Sequence, residues 1–76
     1  MTATSRIRKR SVVIQGHATS VSLEDAFWRA LKAIAVDQGL SVNALIAGID
    51  SKRTDEATAN LSSAIRVFVL ENSKRR

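Results

Sequence analysis

Polar and apolar residues alternate in TSVSLED, residues 19–25, where Val21 and Leu23 are interleaved with Ser20 and Ser22. Alternation with a period of two is typical of a strand that buries one face. A single strand of this length is not stable by itself, because its backbone amide and carbonyl groups need partners. The pattern therefore predicts a short strand whose partner has to be found elsewhere.

The segment before this strand is ambiguous. SVVIQ, residues 11–15, is rich in β-branched residues and is followed by Gly16, a turn candidate. It is either a first strand before the one predicted at 18–23 or an apolar arm that lies across the core. The pattern does not separate these two interpretations.

A helix is predicted over about 24–38. Ser22 with Asp25 three residues later resembles a capping box, with Asp in place of the usual Glu or Gln. Gly39 is suited to the left-handed position that ends many helices. The apolar stripe of this helix comprises Phe27, Trp28, Leu31, Ile34 and Ala35.

Two further helices are predicted, over about 41–52 and 60–73. Ser41 is the expected N-cap of the first of them and Asn60 that of the second, after a polar loop. Gly48 costs about 1 kcal/mol relative to alanine unless a close helix contact needs the missing side chain. The apolar stripes are Val42, Leu45, Ile46 and Ile49, then Leu61, Ala64, Ile65, Phe68 and Val69.

Basic residues concentrate at the two ends of the chain, whose net charge is +5. Residues 11–73 carry five basic and seven acidic residues, a net charge of −2. We therefore divide the chain into a flexible basic arm at 1–10, one domain at 11–73 and a basic tail at 74–76. Basic ends suit a polyanionic partner, since each cation near a phosphate releases counterions. The arm cations are Arg6, Arg8, Lys9 and Arg10.

Size and composition exclude several classes of protein. With 76 residues and no cysteine, the chain has a small core and no disulfide to support it, so we expect oligomerisation to stabilise it. No apolar run approaches the roughly 18 residues of a membrane span, and we expect a cytoplasmic protein. No nucleophile–base pair or glycine-rich phosphate loop indicates an enzyme. His17 is the only histidine, and we expect neither a metal nor a cofactor.

The order of elements suggests where the strand finds its partner. One short strand followed by two amphipathic helices leaves the strand unpaired. A twofold axis solves this problem, because the same strand of a second copy then pairs with it antiparallel. We therefore expect a homodimer.

The sequence resembles a known family, the ribbon-helix-helix proteins, which include the Arc and Met repressors. The resemblance covers about residues 18–53 and rests on TSVSLED followed by GLSVNALI. GHATSVSLEDAFWRALKAIA, LIAGID and NLSSAIRVFVLE also resemble a subfamily of short, mostly uncharacterised bacterial members. The resemblance implies a mainly α fold with one short strand, an intertwined homodimer with an intermolecular antiparallel β-ribbon, and an appended C-terminal helix.

The resemblance also implies a function, that of a DNA-binding transcriptional regulator. The outward residues Ala18, Ser20 and Ser22 would face bases in the major groove, while Thr19 lies beside the core. The start of the second helix would clamp a phosphate through Ser41, Val42 and Asn43. The implied dimer core comprises Val21, Leu23, Phe27, Trp28, Leu31, Leu45, Ile46 and Ile49.

Two features depart from the family pattern. Ala18 has no polar group where an arginine is often found, and serine reads bases ambiguously. Arg8, Lys9 and Arg10 could supply the missing contacts, with His17 and Gln15 as further candidates. The alternative function is a protein-interaction module, such as an antitoxin or a small adaptor. In that case the helix at 60–73 would bind a partner, whereas its apolar stripe favours a place in the core or the dimer interface.

Overall fold

The computed structural model describes residues 6–52 and 61–73. Within these ranges the chain forms two strands and three helices. In chain order these are β1 (Ile7–Ile14), β2 (His17–Glu24), α1 (Asp25–Gln38), α2 (Val42–Ser51) and α3 (Leu61–Ser73). The predicted loop, the Asn60 cap, residues 1–5 and the tail at 74–76 lie outside the described residues.

The two strands form an antiparallel hairpin that runs from the pair Ile7↔Glu24 to the pair Ile14↔His17. Its two-residue loop has Gln15 at φ 51° and Gly16 at φ 81°. Positive φ at both loop positions is what a type I′ turn requires, and its twist matches that of the flanking strands. Gly16 is thus the turn residue that the sequence predicted.

The prediction of one short strand is wrong, because residues 7–14 form a second one. Of the two interpretations of residues 11–15, the structure confirms the first strand, which includes residues 11–14. The prediction of a flexible arm at 1–10 is likewise wrong for residues 7–10, which belong to β1. Pairing explains the difference: β2 offers eight residues of partner backbone, and β1 matches them along its whole length. The amide of Asp25 extends the ladder by donating to the carbonyl of Arg6 over 2.8 Å.

The hairpin also removes the premise from which an intermolecular ribbon was predicted. The strand at 18–23 finds its partner in β1 of the same chain. A second copy is therefore not needed to satisfy the backbone groups on that edge. The intermolecular ribbon stays a prediction, and its original physical reason no longer holds.

Helix α1 begins directly after the hairpin. Its N-cap is Glu24, which makes no side-chain capping bond, so the predicted capping box of Ser22 and Asp25 is wrong. Strand pairing holds residues 22–24 extended and places Ser22 too far upstream to cap. At the other end Gly39 has φ 71°, and Leu40 donates to the carbonyl of Ala35 as in a Schellman motif.

Helix α2 follows α1 after a sharp turn, and the two helices meet at 97°. The Ser41 hydroxyl accepts a hydrogen bond from the amide of Ala44 over 3.0 Å, which confirms the predicted cap. Among the described residues no single helix is long and apolar enough to cross a membrane, although the bent pair α1 and α2 together reaches that length and composition.

One hydrophobic core lies between the inner face of the hairpin and the three helices. Helix α3 is part of it, since Ile65 is fully buried and Val69 is 4% exposed. The predicted apolar stripe of α3 therefore packs inward against the rest of the chain. The buried core residues are Val12, Ile14, Val21, Leu23, Leu31, Ala35, Leu45, Ile46, Ile49, Ile65 and Val69.

Candidate nucleic-acid interface

The hairpin exposes one face to solvent. Side chains opposite each other in an antiparallel pair lie on the same face, so the register places four cross-strand pairs on the outer face. They are Ile7 with Glu24, Lys9 with Ser22, Ser11 with Ser20, and Val13 with Ala18. Glu24 is half-buried, and the other seven residues are exposed. We call this set the outer face.

The exposure of Ala18, Ser20 and Ser22 agrees with the alternation predicted for β2, and Val21 and Leu23 are buried on the other side. Thr19 differs from its expected place beside the core, because it is exposed. It lies opposite Val12 on the inner face, near the turn of the hairpin. In the β1 half of the outer face, the sequence analysis misses Ile7 and Lys9, because it assigns residues before 11 to an arm.

Two of the predicted arm cations, Arg8 and Arg10, lie on the inner face of the hairpin beside Asp25. Nη2 of Arg10 is 2.6 Å from Oδ1 of Asp25, and the guanidinium carbon lies 4.7 Å from the ring centroid of Trp28. Nε of Arg8 is 3.5 Å from the same carboxylate oxygen, with the side chain 57% exposed. Asp25 therefore offsets one of the four positive charges that the sequence assigns to a free arm.

The other two arm cations remain accessible. Arg6 and Lys9 are both exposed. Lys9 belongs to the outer face and has no ion-pair partner among the described residues. The accessible positive charge thus lies at the open end of the hairpin, opposite the turn.

Helix α2 begins beside the free edge of β1. Amide groups of alternate residues in a two-stranded ribbon point away from the partner strand, and that of Val13 donates to Oδ1 of Asn43 over 3.3 Å. The Ser41 cap uses the amide of Ala44. The amides of Val42 and Asn43, in the first turn, have no hydrogen-bond acceptor among the described residues. The predicted phosphate site therefore keeps two backbone donors, while the Asn43 side chain serves the hairpin.

Helix α3 contacts the opposite edge, that of β2. The amide of Ser22 donates to Oγ of Ser62 over 3.2 Å, and Nε of Arg66 donates to Oε1 of Glu24 over 2.8 Å. The hydrogen bond from Arg66 holds the pKa of Glu24 below its ordinary value. No local sequence signal predicted these contacts, because about forty residues separate the partners.

The residues predicted for a dimer core contribute to the core of the single chain. Val21, Leu23 and Leu31 are buried there, as are the three buried residues of α2. Phe27 and Trp28 pack at its margin and are partly buried. Their burial is thus explained within one chain, and a further role between two chains stays a prediction.

A family profile described as a ribbon-helix-helix domain matches residues 7–73. This range includes the whole hairpin and all three helices. Searches of curated proteins and of solved structures returned no match.

Proposed function

The chain belongs to the ribbon-helix-helix family, and from this premise we propose that it is a DNA-binding transcriptional regulator. Its ribbon enters the major groove with the outer face toward the bases, and the start of α2 binds a flanking phosphate. The observation that carries the proposal is the hydrogen bond from Val13 to Asn43. It fixes an open helix N-terminus beside an exposed, largely polar two-stranded ribbon.

The shape and chemistry of the ribbon support this proposal. The major groove is about 12 Å wide and admits a two-stranded ribbon. The outer face carries one acidic residue, Glu24, and the ion pair with Arg66 offsets the charge of its carboxylate. Ser11, Ser20 and Ser22 offer hydroxyls that both donate and accept hydrogen bonds. Lys9 offers a cation suited to the O6 and N7 acceptors of guanine.

The start of α2 supports the phosphate contact. Helix N-termini carry a partial positive charge and point free amides outward, and both features favour an anion. Val42 and Asn43 supply these amides, and Ser41 next to them is exposed. Such a contact would position the ribbon in the groove without reading sequence.

The inner-face placement of Arg10 changes the expected salt dependence. Four arm cations per chain would all be available only if the arm were free. Because Arg10 is paired with Asp25, the cations left to contact phosphates are Arg6, Lys9 and the partly exposed Arg8. Two to three phosphate contacts per chain are four to six per dimer, which corresponds to a slope of about −4 to −5 in a plot of log K against log salt concentration.

Dimerisation is part of the same proposal. Members of the family generally dimerise, and a chain of this size gains stability by enlarging its core. Analytical ultracentrifugation of the full chain at micromolar concentration distinguishes 8.3 kDa from twice that mass. A sharp boundary at the monomer mass throughout the concentration range would remove the homodimer from the proposal.

The DNA-binding part is tested with the full chain and labelled genomic fragments in fluorescence anisotropy between 50 and 200 mM salt, about the range where such slopes are measured. We compare Lys9→Ala on the outer face with Lys32→Ala, an exposed lysine of α1. We expect the DNA affinity to fall as the salt concentration rises. We also expect Lys9→Ala to reduce the affinity and Lys32→Ala to leave it unchanged. Absence of binding at low salt, or equal effects of both variants, would overturn the proposal.

A second candidate function, a protein-interaction module such as an antitoxin or adaptor, is favoured by one observation. Val67 and Leu70 are each 53% exposed on the outer side of α3, one turn apart. In this case a specific partner protein should co-purify with the wild-type chain and be lost with the double variant Val67→Ser and Leu70→Ser. The same variant should keep its DNA affinity if α3 has no part in the groove contact.

A further inference from the structure

Strand β1 has one edge along which no neighbouring strand lies. In an antiparallel pair, successive residues point both backbone groups alternately toward the partner strand and away from it. The amide of Val13 points away from β2, since it donates to Oδ1 of Asn43. Ile7, Lys9 and Ser11 lie an even number of residues from Val13, so their amides and carbonyls also point away from β2. None of these groups has a hydrogen-bond partner among the described residues. We call residues 7–11 the open edge.

The open edge is accessible to solvent. Its three outward-pointing residues are exposed, and Ile7 is 62% exposed. The hydrogen bond from Val13 to Asn43 brings α2 against the strand and ends the open edge on the side of the turn. Helix α3 lies along the other edge of the hairpin, that of β2. The open edge therefore stays accessible whether or not β2 also pairs with a second copy along its own edge.

The open edge is strongly basic. The four arm cations lie on it or beside it, and Asp25 is the one carboxylate paired with them among the described residues. One carboxylate against four cations leaves a net local charge of +3. Glu24, opposite Ile7, is paired with Arg66. A second copy of the same edge would place like charges opposite each other, which is unfavourable. The charge therefore favours an acidic partner over a second copy.

We propose that the open edge binds an extended, acidic segment of another protein, which adds to β1 as a third strand. This interaction goes beyond DNA binding and does not depend on it. In strand addition, main-chain hydrogen bonds supply affinity and the side chains on either face supply specificity. The phosphates of DNA offer acceptors only, so they leave the outward carbonyls of the edge unpaired. A peptide strand supplies a donor and an acceptor at each position.

The geometry of the edge sets the chemistry of the segment. Ile7 and Ser11 are four residues apart, or about 13 Å at roughly 3.3 Å per residue, so the paired segment has about five residues. Cross-strand neighbours lie about 5 Å apart at Cβ. An acidic residue opposite Lys9 meets its ammonium group on the outer face. The next acidic residue of the segment meets Arg8, which is 57% exposed, on the inner face.

The test uses the full chain and a labelled peptide of about seven residues, the span of the edge with one residue added at each end. Two adjacent glutamates stand at its centre, with valine and threonine on either side. A matched peptide has the same side chains but is N-methylated at every central residue, so it keeps its charge and loses its amide donors. In fluorescence anisotropy the first peptide should bind, and the N-methylated peptide should bind about tenfold more weakly.

Two substitutions separate the edge from the general charge of the protein. Lys9→Glu should weaken binding of the first peptide by about fivefold. Lys32→Glu makes the same change of charge at an exposed position of α1 and should leave peptide binding unchanged. Circular dichroism of both variants verifies that they are folded.

Amide hydrogen exchange in the wild-type chain locates the contact without any substitution. The bound peptide should slow exchange at Ile7, Lys9 and Ser11. Exchange at Ala18 and Ser20 should stay unchanged, because their amides point away from β1 along the other edge of the hairpin.

Several outcomes would overturn the inference. They are no binding of the first peptide, equal affinities of the two peptides, equal effects of the two charge reversals, and unchanged exchange at the open edge. Slower exchange at the open edge with a random DNA duplex but not with the peptide would assign the edge to nucleic acid and also overturn it. If the peptide binds as expected and DNA does not bind, the proposed function fails and this inference stands.

Discussion

Arg10 lies on the inner face of β1 with Nη2 2.6 Å from Oδ1 of Asp25, the first residue of α1. Both side chains are 23% exposed. The pair joins the hairpin to the first helix at the point where the chain passes from one to the other. The ring of Trp28, one turn further along α1, lies against the guanidinium.

Replacing Arg10 by alanine should lower the free energy of unfolding by about 1–3 kcal/mol, the range for a partly buried charged hydrogen bond with a cation–π contact. Nε of Arg10 is buried without an acceptor among the described residues, which offsets part of the gain. Urea unfolding followed by circular dichroism measures the change. Lys9→Ala, at the neighbouring exposed position, should change stability by less than about 0.5 kcal/mol.

The same comparison separates structural from binding effects on DNA. Arg10→Ala should reduce DNA affinity only as far as it reduces the folded fraction. Lys9→Ala should reduce DNA affinity while the protein stays folded. If Arg10→Ala leaves the unfolding midpoint unchanged but weakens DNA binding, then Arg10 contacts DNA and its inner-face role is wrong.

The helices could be predicted from the sequence almost to the residue, because their signals are local. The prediction of 24–38 compares with Asp25–Gln38, and that of 41–52 with Val42–Ser51. Stripes with a period of 3.6 and the residues Gly39 and Ser41 act within a few positions of each other. The exposed alternation in β2 was predicted on the same kind of signal.

The first half of β1, residues 7–10, could not be predicted in this way. RIRKR, residues 6–10, has no apolar alternation, because its inner-face positions hold Arg8 and Arg10 instead of apolar residues. Arg10, the more buried of the two, is stabilised there by Asp25, fifteen residues further along the chain, and by the ring of Trp28. A long-range ion pair leaves no local pattern, so the sequence assigns Ile7 and Lys9, two of the eight outer-face residues, to a flexible arm.

Two glycines should respond in opposite directions to the same substitution. Gly16→Ala forces alanine into a positive φ of 81° and should destabilise the protein by about 1–2 kcal/mol. Gly48 lies within α2, and an added Cβ would meet nothing within 4 Å. Gly48→Ala should therefore stabilise by about 0.5–1 kcal/mol. Thermal or urea unfolding of both variants checks the signs; destabilisation by Gly48→Ala would reveal a close contact that the single chain lacks, such as one in a dimer.

Two valines of α3 test whether this helix is part of the core. Val69 is 4% exposed and Val67 is 53% exposed. Val69→Ala should cost about 2–3 kcal/mol through lost burial and the cavity left behind. Val67→Ala should cost less than about 0.5 kcal/mol. If urea unfolding shows that both substitutions lower the free energy of unfolding by the same small amount, then α3 is not packed on the core in solution.

An ion pair joins α3 to the end of β2, with Nε of Arg66 2.8 Å from Oε1 of Glu24. The hydrogen bond from Arg66 lowers the pKa of Glu24 in the folded protein from its ordinary value of 4.5. The unfolded chain thus binds a proton more readily at this site. The contribution to stability is therefore fully present above pH 4.5 and is lost as the pH falls through the lower, folded pKa.

Glu24→Gln should accordingly lower the unfolding midpoint in urea at pH 7, and its difference from the wild type should shrink as the pH is lowered toward 3. The amide cannot ionise, so the variant lacks the part of the pH dependence that Glu24 contributes. Glu71→Gln, at an exposed position on α3, is the matched control and should follow the wild type closely at both pH values. A difference between Glu24→Gln and the wild type that stays constant with pH would mean that the pair with Arg66 does not stabilise the folded chain through the charge of Glu24.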